Sequence, residues 1–347
     1  MGSNERLHIG VMGAGSIGCY VGGRLVADGT ADVTFVGRAS LADTVAEHGL
    51  TLREFEHDEH IVPSKIRFET DPTALSACDV VLCCVKSGAT AETAAALVPI
   101  LRPEAIVVSL QNGLRNPEIL REHLPNRVVA AVVSFNVMMR DAGVFHYTAG
   151  GPLIVGAGSD PRDAPWLDAL RSAGIEMQEV EPIAPEQWTK LLVNLNNAVS
   201  ALSGAPTRAL ILSRQYRRVI AMLLDEGLDV LDAAGIRPAK FRGVPLRVMS
   251  FILKLPTPIV RVVIRAQLRV DPEARASMWQ DLQRGRLTEV DFLNGEVVRL
   301  AQAHSTDAPL NRRIVELVHD AERVCTGSPQ MTAETLLASL RDAASTS

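Results

Sequence analysis

One stretch near the start limits what this chain can become. Leu7 to Met12 is a short apolar run leading directly into Gly13-Ala14-Gly15-Ser16-Ile17-Gly18, and Cys19 to Ala27 then has the small and apolar residues of a helix. Strand, G-x-G-x-x-G, helix is the context in which the glycine motif means a dinucleotide site. Gly13 permits the tight turn, Gly15 lets backbone approach a pyrophosphate, and Gly18 lets helix and strand pack closely. The free N–H groups and dipole at the helix start then favour the phosphates. All six residues, with Ala14, Ser16 and Ile17 between the glycines, are candidate cofactor contacts. The motif alone is unspecific, but here it opens a βαβ pattern within ~30 residues, the size of that unit.

Further strands continue the pattern. Asp32 to Val36 is the second strand and ends at Gly37-Arg38. An acidic residue at such a position takes the ribose 2′-hydroxyl of NAD, whereas an arginine accommodates a 2′-phosphate, so Arg38 points to NADP(H). The plain alternative is an exposed arginine after a strand. Leu41 to His48 reads as a helix, and Leu50 to Arg53 with His60 to Phe68 as short paired strands. Asp79 to Val85 is a continuous apolar run suited to a strand buried on both faces. Lys86 follows at its C-terminal end, where open α/β sheets place ligands. Thr90 to Leu101 is a helix, and the strand Ala105 to Leu110 delivers Gln111-Asn112-Gly113 to the same sheet edge. Asn-Gly is most often simply a turn; at this place an amide can orient cofactor and substrate. Arg127 to Phe135 continues the sheet, Val144 to Val155 adds antiparallel strands, and Asp163 to Ala173 is a helix.

After Pro182 the period changes to helical segments at about 185–203, 212–234, 239–253, 259–269, 273–284, 288–304 and 309–325, with Asp271-Pro272-Glu273 as a helix start and a frayed DAASTS end. A chain of 347 residues is too long for one ordinary core. The expectation is an α/β Rossmann-type N-terminal domain, 1–182, binding NADP, followed by an all-α C-terminal domain, 183–347, carrying substrate and catalysis.

The net charge of −5, with no basic block interleaved with aromatics, gives no case for nucleic acid. The five cysteines have neither CxxC nor Cys/His ligand spacing, so they read as reduced thiols of a cytoplasmic protein without a metal site. MGSNERLHIG lacks the apolar core of a signal peptide. Val244 to Val270 is apolar, but Arg247, Lys254, Arg261 and Arg265 interrupt it, each central charge costing roughly 2.5–3.5 kcal/mol in a bilayer. It reads as packed helices rather than a membrane span. Whether the chain forms a homodimer is left open.

A nicotinamide enzyme moves hydride through its cofactor, so the protein supplies position, charge and one proton. No histidine has a persuasive setting for that proton. Lys190 does, because Lys190 and Asn194 are i and i+4 on one helical stripe where the second domain begins. A solvated helix lysine is the bland alternative. The set Gly13-x-Gly15-x-x-Gly18, Gln111-Asn112-Gly113, Lys190-Leu-Leu-Val-Asn194, Ser277-Met-Trp-Gln-Asp281 and Thr288-Glu289-Val-Asp291-Phe-Leu-Asn294-Gly295 resembles the ketopantoate reductase family, in the family's order, from residue 7 to about 325. The resemblance implies NADPH-dependent reduction of a small 2-oxo acid, 2-dehydropantoate, to pantoate for pantothenate synthesis. It also implies Lys190 as proton donor, Glu289 holding the substrate or the lysine, Asn112 and Asn194 orienting substrate and nicotinamide, and Ser277 touching the substrate carboxylate. Glu289 near Lys190 would favour the charged lysine.

Two departures bear on the substrate. Many family members carry a second asparagine two turns after the lysine, where this chain has Ala198, with Asn197 one place earlier. The position three before Ser277, often asparagine in the family, is Ala274. Competing readings are an NADP-dependent reductase of another 2-oxo or 3-oxo acid, and a nicotinamide-binding regulator without turnover.

Overall fold

Alternation of side chains across a pleat decides how the first strands are used. Val80 and Leu82 join one apolar cluster while Val81 and Cys83 join another, so this strand is covered on both faces, as a parallel strand requires. The computed structural model describes residues 6–54, 57–263 and 275–345. Two units result, Met1–Ile183 and Ala184–Ser347.

The first unit has strands β1 (Leu7–Met12), β2 (Ala31–Val36), β3 (Leu50–Glu54), β4 (His57–Ile61), β5 (Arg67–Glu69), β6 (Val80–Cys83), β7 (Ile106–Ser109), β8 (Arg127–Val133), β9 (Asn136–Met139), β10 (Val144–Ala149), β11 (Leu153–Val155) and β12 (Met177–Glu179). Its helices are α1 (Ser16–Asp28), α2 (Ala39–His48), α3 (Thr90–Leu97), α4 (Asn116–His123) and α5 (Ala164–Ser172). Eight strands form one sheet in the order β12-β11-β8-β7-β6-β1-β2-β5, parallel except where β11 meets β8. The chain moves outward from β1 to β2 in one direction and to β6 in the other. That reversal is the crevice where doubly wound sheets bind ligands, outside the carboxyl ends of the strands.

Pairing differs from the sequence expectation in two places. The partner of β3 is β4, whereas Arg67–Glu69 leaves the hairpin and becomes the edge of the large sheet beside β2. Val144 to Val155 is divided between sheets: β10 lies parallel to β3 and antiparallel to β9 in a four-stranded sheet, while β11 lies antiparallel to β8. Gly150-Gly151-Pro152, which cannot easily continue a strand, separates the two.

The second unit is helical: α6 (Ala184–Asn194), α7 (Asn196–Ser203), α8 (Thr207–Leu212), α9 (Arg214–Ala233), α10 (Leu246–Lys254), α11 (Thr257–Val263), α12 (Ser277–Gln283), α13 (Asn294–Ala303), α14 (Pro309–Val324) and α15 (Ala333–Ser345). The expected 185–203 helix is broken at Leu195, whose N–H reaches Leu192 O at 3.4 Å while Asn196 Nδ2 donates to Val193 O at 2.5 Å. The helix expected from 239 starts at Leu246, because Pro245 sits at its N-cap and residues before it form a turn closed by a Phe241–Val244 bridge. The expected 288–304 helix is a 3-10 turn, Val290–Phe292, followed by α13. Asp342 to Ser345, expected frayed, end α15. The Asp271-Pro272-Glu273 start, Ala274 and the Val244–Val270 segment beyond Val263 lie outside the described residues. Among the described residues no helix is long and apolar enough to cross a membrane.

One buried charge organises the start of α9. Arg217 is fully buried, and its guanidinium donates to the carbonyls of Ile211, Leu212, Leu253 and Leu255 at 2.9, 3.2, 3.0 and 2.9 Å and to Thr257 Oγ1 at 3.2 Å. The four carbonyls lie at the C-terminal ends of α8 and α10, the negative ends of their helix dipoles, and Thr257 opens α11. They stabilise the cation, which has no carboxylate partner among the described residues.

Candidate active site

The carboxyl ends of four neighbouring strands carry the residues singled out in the first unit. Gly13 to Gly18 follow β1, Arg38 follows β2, Lys86 lies beyond β6, and Asn112 lies beyond β7. The glycine loop is fastened to the adjacent strand end: the N–H groups of Gly13 and Ala14 both donate to Val36 O at 3.0 Å. Gly13 has φ +91°, and a Cβ there would lie 2.6 Å from Val85 N, so only glycine makes this turn. A Cβ at Gly18 would fall 2.8 Å from Gly13 O. Gly15 is different, because the nearest atom to its Cβ would be Gly13 O at 4.0 Å. No protein atom requires a glycine at Gly15, whereas a pyrophosphate lying on this backbone does. The loop therefore fits a dinucleotide.

Ser16 and Ile17 open α1, and the N–H of Cys19 closes its first turn on Gly15 O at 2.8 Å. Arg38 is exposed, its side chain has no hydrogen-bond or ion-pair partner among the described residues, and it immediately precedes the N-terminus of α2. Lys86 is exposed and Asn112 half-buried, with Gly113 at φ +87° completing the turn. Asn112 is held through its carbonyl oxygen by Ser87 Oγ at 3.1 Å and Asn116 Nδ2 at 2.5 Å.

In the second unit Lys190 and Asn194 share α6, and Asn194 is that helix's last residue. Trp188, Leu191 and Leu192 bury the other side of α6. Lys190 is half-buried and has no hydrogen-bond or ion-pair partner among the described residues. Burial pushes its ammonium down to about 8, and the positive charge of Arg242 adds to the shift. Besides desolvation, the charge that acts on Lys190 is thus a second cation. Sequence reasoning missed Arg242, since it lies on an irregular turn expected to be helix. That turn is tied to α6 by Thr189 Oγ1 donating to Ala239 O at 2.9 Å and Ala239 N–H donating to Pro185 O at 3.2 Å.

Glu289 is 7 % exposed and precedes the Val290–Phe292 turn, so it is not a first-turn charge on a long helix. Ser277 is exposed at the start of α12, which packs on α7. Ala198 is fully buried in α7, so the place where many family members carry an asparagine belongs here to the apolar interior. Asn294, also fully buried, donates to Asn311 Oδ1 at 3.0 Å and serves the helix packing. Among the described residues no group of His, Cys, Asp and Glu could hold a metal ion.

Residues 9–160 match the family described as ketopantoate reductase PanE/ApbA, and residues 182–322 match its C-terminal region. The chain belongs to the ketopantoate reductase family. As a member of that family it is a nicotinamide-dependent oxidoreductase. It is 31% identical over 325 residues to a 2-dehydropantoate 2-reductase of Halobacterium salinarum, across 91% of this chain and 99% of that one. A PanE/ApbA family ketopantoate reductase from Ralstonia eutropha is similar in structure, with TM-score 0.77 and 30% identity across 92% of this chain and 99% of that one. D-mandelate dehydrogenase with NADH and anilino(oxo)acetate has TM-score 0.72 at 20% identity, covering 92% of this chain and 99% of that one, a likeness of fold alone.

Proposed function

We propose that this ketopantoate reductase family member reduces 2-dehydropantoate to pantoate with NADPH, in the cytoplasm, for pantothenate synthesis. The first unit, to residue 182, holds the cofactor through Gly13, Ala14, Gly15, Ser16, Ile17, Gly18, Arg38, Lys86 and Asn112. The second, from 183, supplies substrate contacts through Asn194 and Ser277 and the chemistry through Lys190 and Glu289. Lys190 carries the reading: a half-buried lysine whose side chain has no hydrogen-bond or ion-pair partner among the described residues, close to its point of proton loss, on the same stripe as Asn194. An amine poised near the working pH both gives up and regains a proton readily.

When bound, the nicotinamide supplies a hydride to the keto carbon. Lys190 stabilises the charge that develops on the keto oxygen and then protonates it, leaving a neutral amine that regains its proton from water. The amides of Asn112 and Asn194 orient the reacting groups, Ser277 contacts the carboxylate, and Glu289 anchors the substrate or the lysine. Arg38, exposed beside the N-terminus of α2, supports a 2′-phosphate and hence NADPH over NADH. Loss of absorbance from NADPH on adding ketopantoate tests the activity directly. No turnover with ketopantoate, by an enzyme shown to bind NADPH, would remove the substrate assignment.

A second reading concerns substrate alone. Because Ala198 is sealed in the interior of α7, one hydrogen-bonding group common in the family is absent here, and sites built to bind a hydroxyl discriminate strongly by it. That observation favours a related 2-oxo or 3-oxo acid. Comparing kcat/KM for ketopantoate with a panel of such acids separates the two readings.

A further inference from the structure

A ring of buried polar groups stands behind Asn112. Thr90 and Asn116, the first residues of α3 and α4, are both fully buried. Thr90 Oγ1 lies 2.7 Å from Asn116 Oδ1 and accepts from Gln111 Nε2 at 2.7 Å. Asn116 Nδ2 donates to Ser87 Oγ at 3.0 Å and to Asn112 O at 2.5 Å, and Ser87 Oγ donates to Asn112 O at 3.1 Å. Gln111 Nε2 also donates to Val85 O at 3.1 Å, and Ser109 Oγ donates to Gln111 Oε1 at 3.1 Å.

Packing alone does not call for such a ring. The strands next to it are filled with Val, Leu and Cys, and apolar residues in place of a buried polar cluster are commonly as stable or more so. What the ring provides is fixed geometry, since each member is oriented by two others. Its outlets are specific. Ser87 follows Lys86 beyond β6, and Gln111 precedes Asn112 beyond β7, so the ring joins the two strand ends assigned to the cofactor.

We infer that Thr90 and Asn116 are positioning residues for the reduction: with Ser87 they lock the backbone at Asn112, so that the Asn112 amide meets the cofactor and substrate in one fixed orientation. This rests on the reading that Asn112 orients the nicotinamide and substrate. Neither residue touches the reacting atoms; both act through Asn112.

The test uses the full-length enzyme and compares Asn112→Ala, Thr90→Val, Thr90→Ser and the Asn112→Ala/Thr90→Val pair. Readouts are kcat and KM for the oxo acid, the NADPH dissociation constant by fluorescence, and the melting temperature. Thr90→Val keeps the side-chain shape and removes the hydroxyl. It should lower kcat by about 10- to 100-fold, the scale of a small misplacement of reacting groups, with a much smaller change in oxo-acid KM. Thr90→Ser restores the hydroxyl and should recover most of the loss. In the double variant the second change should add nothing, because a residue acting through Asn112 has no effect once that side chain is gone. If Thr90→Val does not fold, Ser87→Ala answers the same question by removing one donor to Asn112 O, with a lower kcat and the same non-additivity. Equal kcat for the Val and Ser variants, or multiplicative losses in the double variant, would overturn the inference. Normal turnover of Asn112→Ala would remove the reading of Asn112, and the positioning role with it.

Discussion

Arg242 and Lys190 are like charges held near enough for the guanidinium to weaken the hold of the lysine on its proton. Desolvation is the larger cause of the lysine's shift to about 8, and the field of Arg242 acts in the same direction. The Lys190 ammonium is therefore poised close to physiological pH.

The pH dependence follows from this. Below pH 8 the ammonium is intact, so reduction of the oxo acid should show a plateau in kcat/KM toward neutral pH. As pH rises through about 8 the donor loses its proton and the rate should fall. Oxidation of the hydroxy acid needs the free amine and should rise over the same interval. Removing the cation in Arg242→Ala should move the falling limb to higher pH. Lys190→Ala should lose activity by orders of magnitude and abolish the limb while NADPH still binds; near-normal turnover would end the assignment of Lys190.

Gly15 and Gly18 should separate binding from folding. At Gly18 an added methyl meets Gly13 O and Val11 Cγ1, both at 2.8 Å, so Gly18→Ala should lower the melting temperature as well as cofactor affinity. At Gly15 the nearest atom stands at 4.0 Å. Gly15→Ala should melt like the parent yet weaken NADPH binding by about 1–3 kcal/mol, the usual cost of overpacking. Unchanged affinity in Gly15→Ala, measured by fluorescence titration, would move the pyrophosphate elsewhere.

Arg38 predicts a change in cofactor preference. Arg38→Asp places a carboxylate opposite the expected 2′-phosphate, so KM for NADPH should rise far more than KM for NADH. Equal effects on both would remove Arg38 from the cofactor site.

Arg217 predicts a change in stability without a change in chemistry. Arg217→Met leaves the buried carbonyls of Ile211, Leu212, Leu253 and Leu255 without their donor. A hydrogen bond to a charged group contributes ~1.5–3 kcal/mol and an orphaned buried acceptor costs ~1–3 kcal/mol, so a loss of about 3 kcal/mol or more is expected in urea unfolding. An unchanged urea midpoint would contradict the role given to this guanidinium.

What could be read from the sequence was local. β1, the glycine loop and α1 were legible because each residue's part depends on its immediate neighbours, and the same holds for the apolar run of β6. Pairing between distant segments was not: nothing in Val144 to Val155 says that its first half belongs beside β3 and its second beside β8. Helix breaks were equally hidden. The spacing around Leu195 fits one continuous helix, and the side-chain bond from Asn196 to Val193 O that accompanies the break leaves no mark in the apolar pattern. At the site, the glycines, Arg38, Lys86, Asn112, Lys190 and Asn194 stood out by residue type and place. Thr90, Asn116 and Arg242 did not. The first two matter through mutual burial, which no spacing displays, although Asn116-Pro117 is itself a helix-start signal.

The parallel pairing of Thr51–Glu54 with Val144–Tyr147 also has a consequence in time. Roughly 90 residues separate the partners, so at ~5–20 residues per second on the ribosome β3 waits on the order of 5–20 s for β10. Through that interval its hairpin partner β4, HDEHI, covers one edge of β3 with exposed polar and charged residues, while the edge that will receive β10 stays open. Until β10 arrives the nascent first unit therefore presents one open strand edge, five residues long, beside a partner whose four polar side chains close only the opposite side.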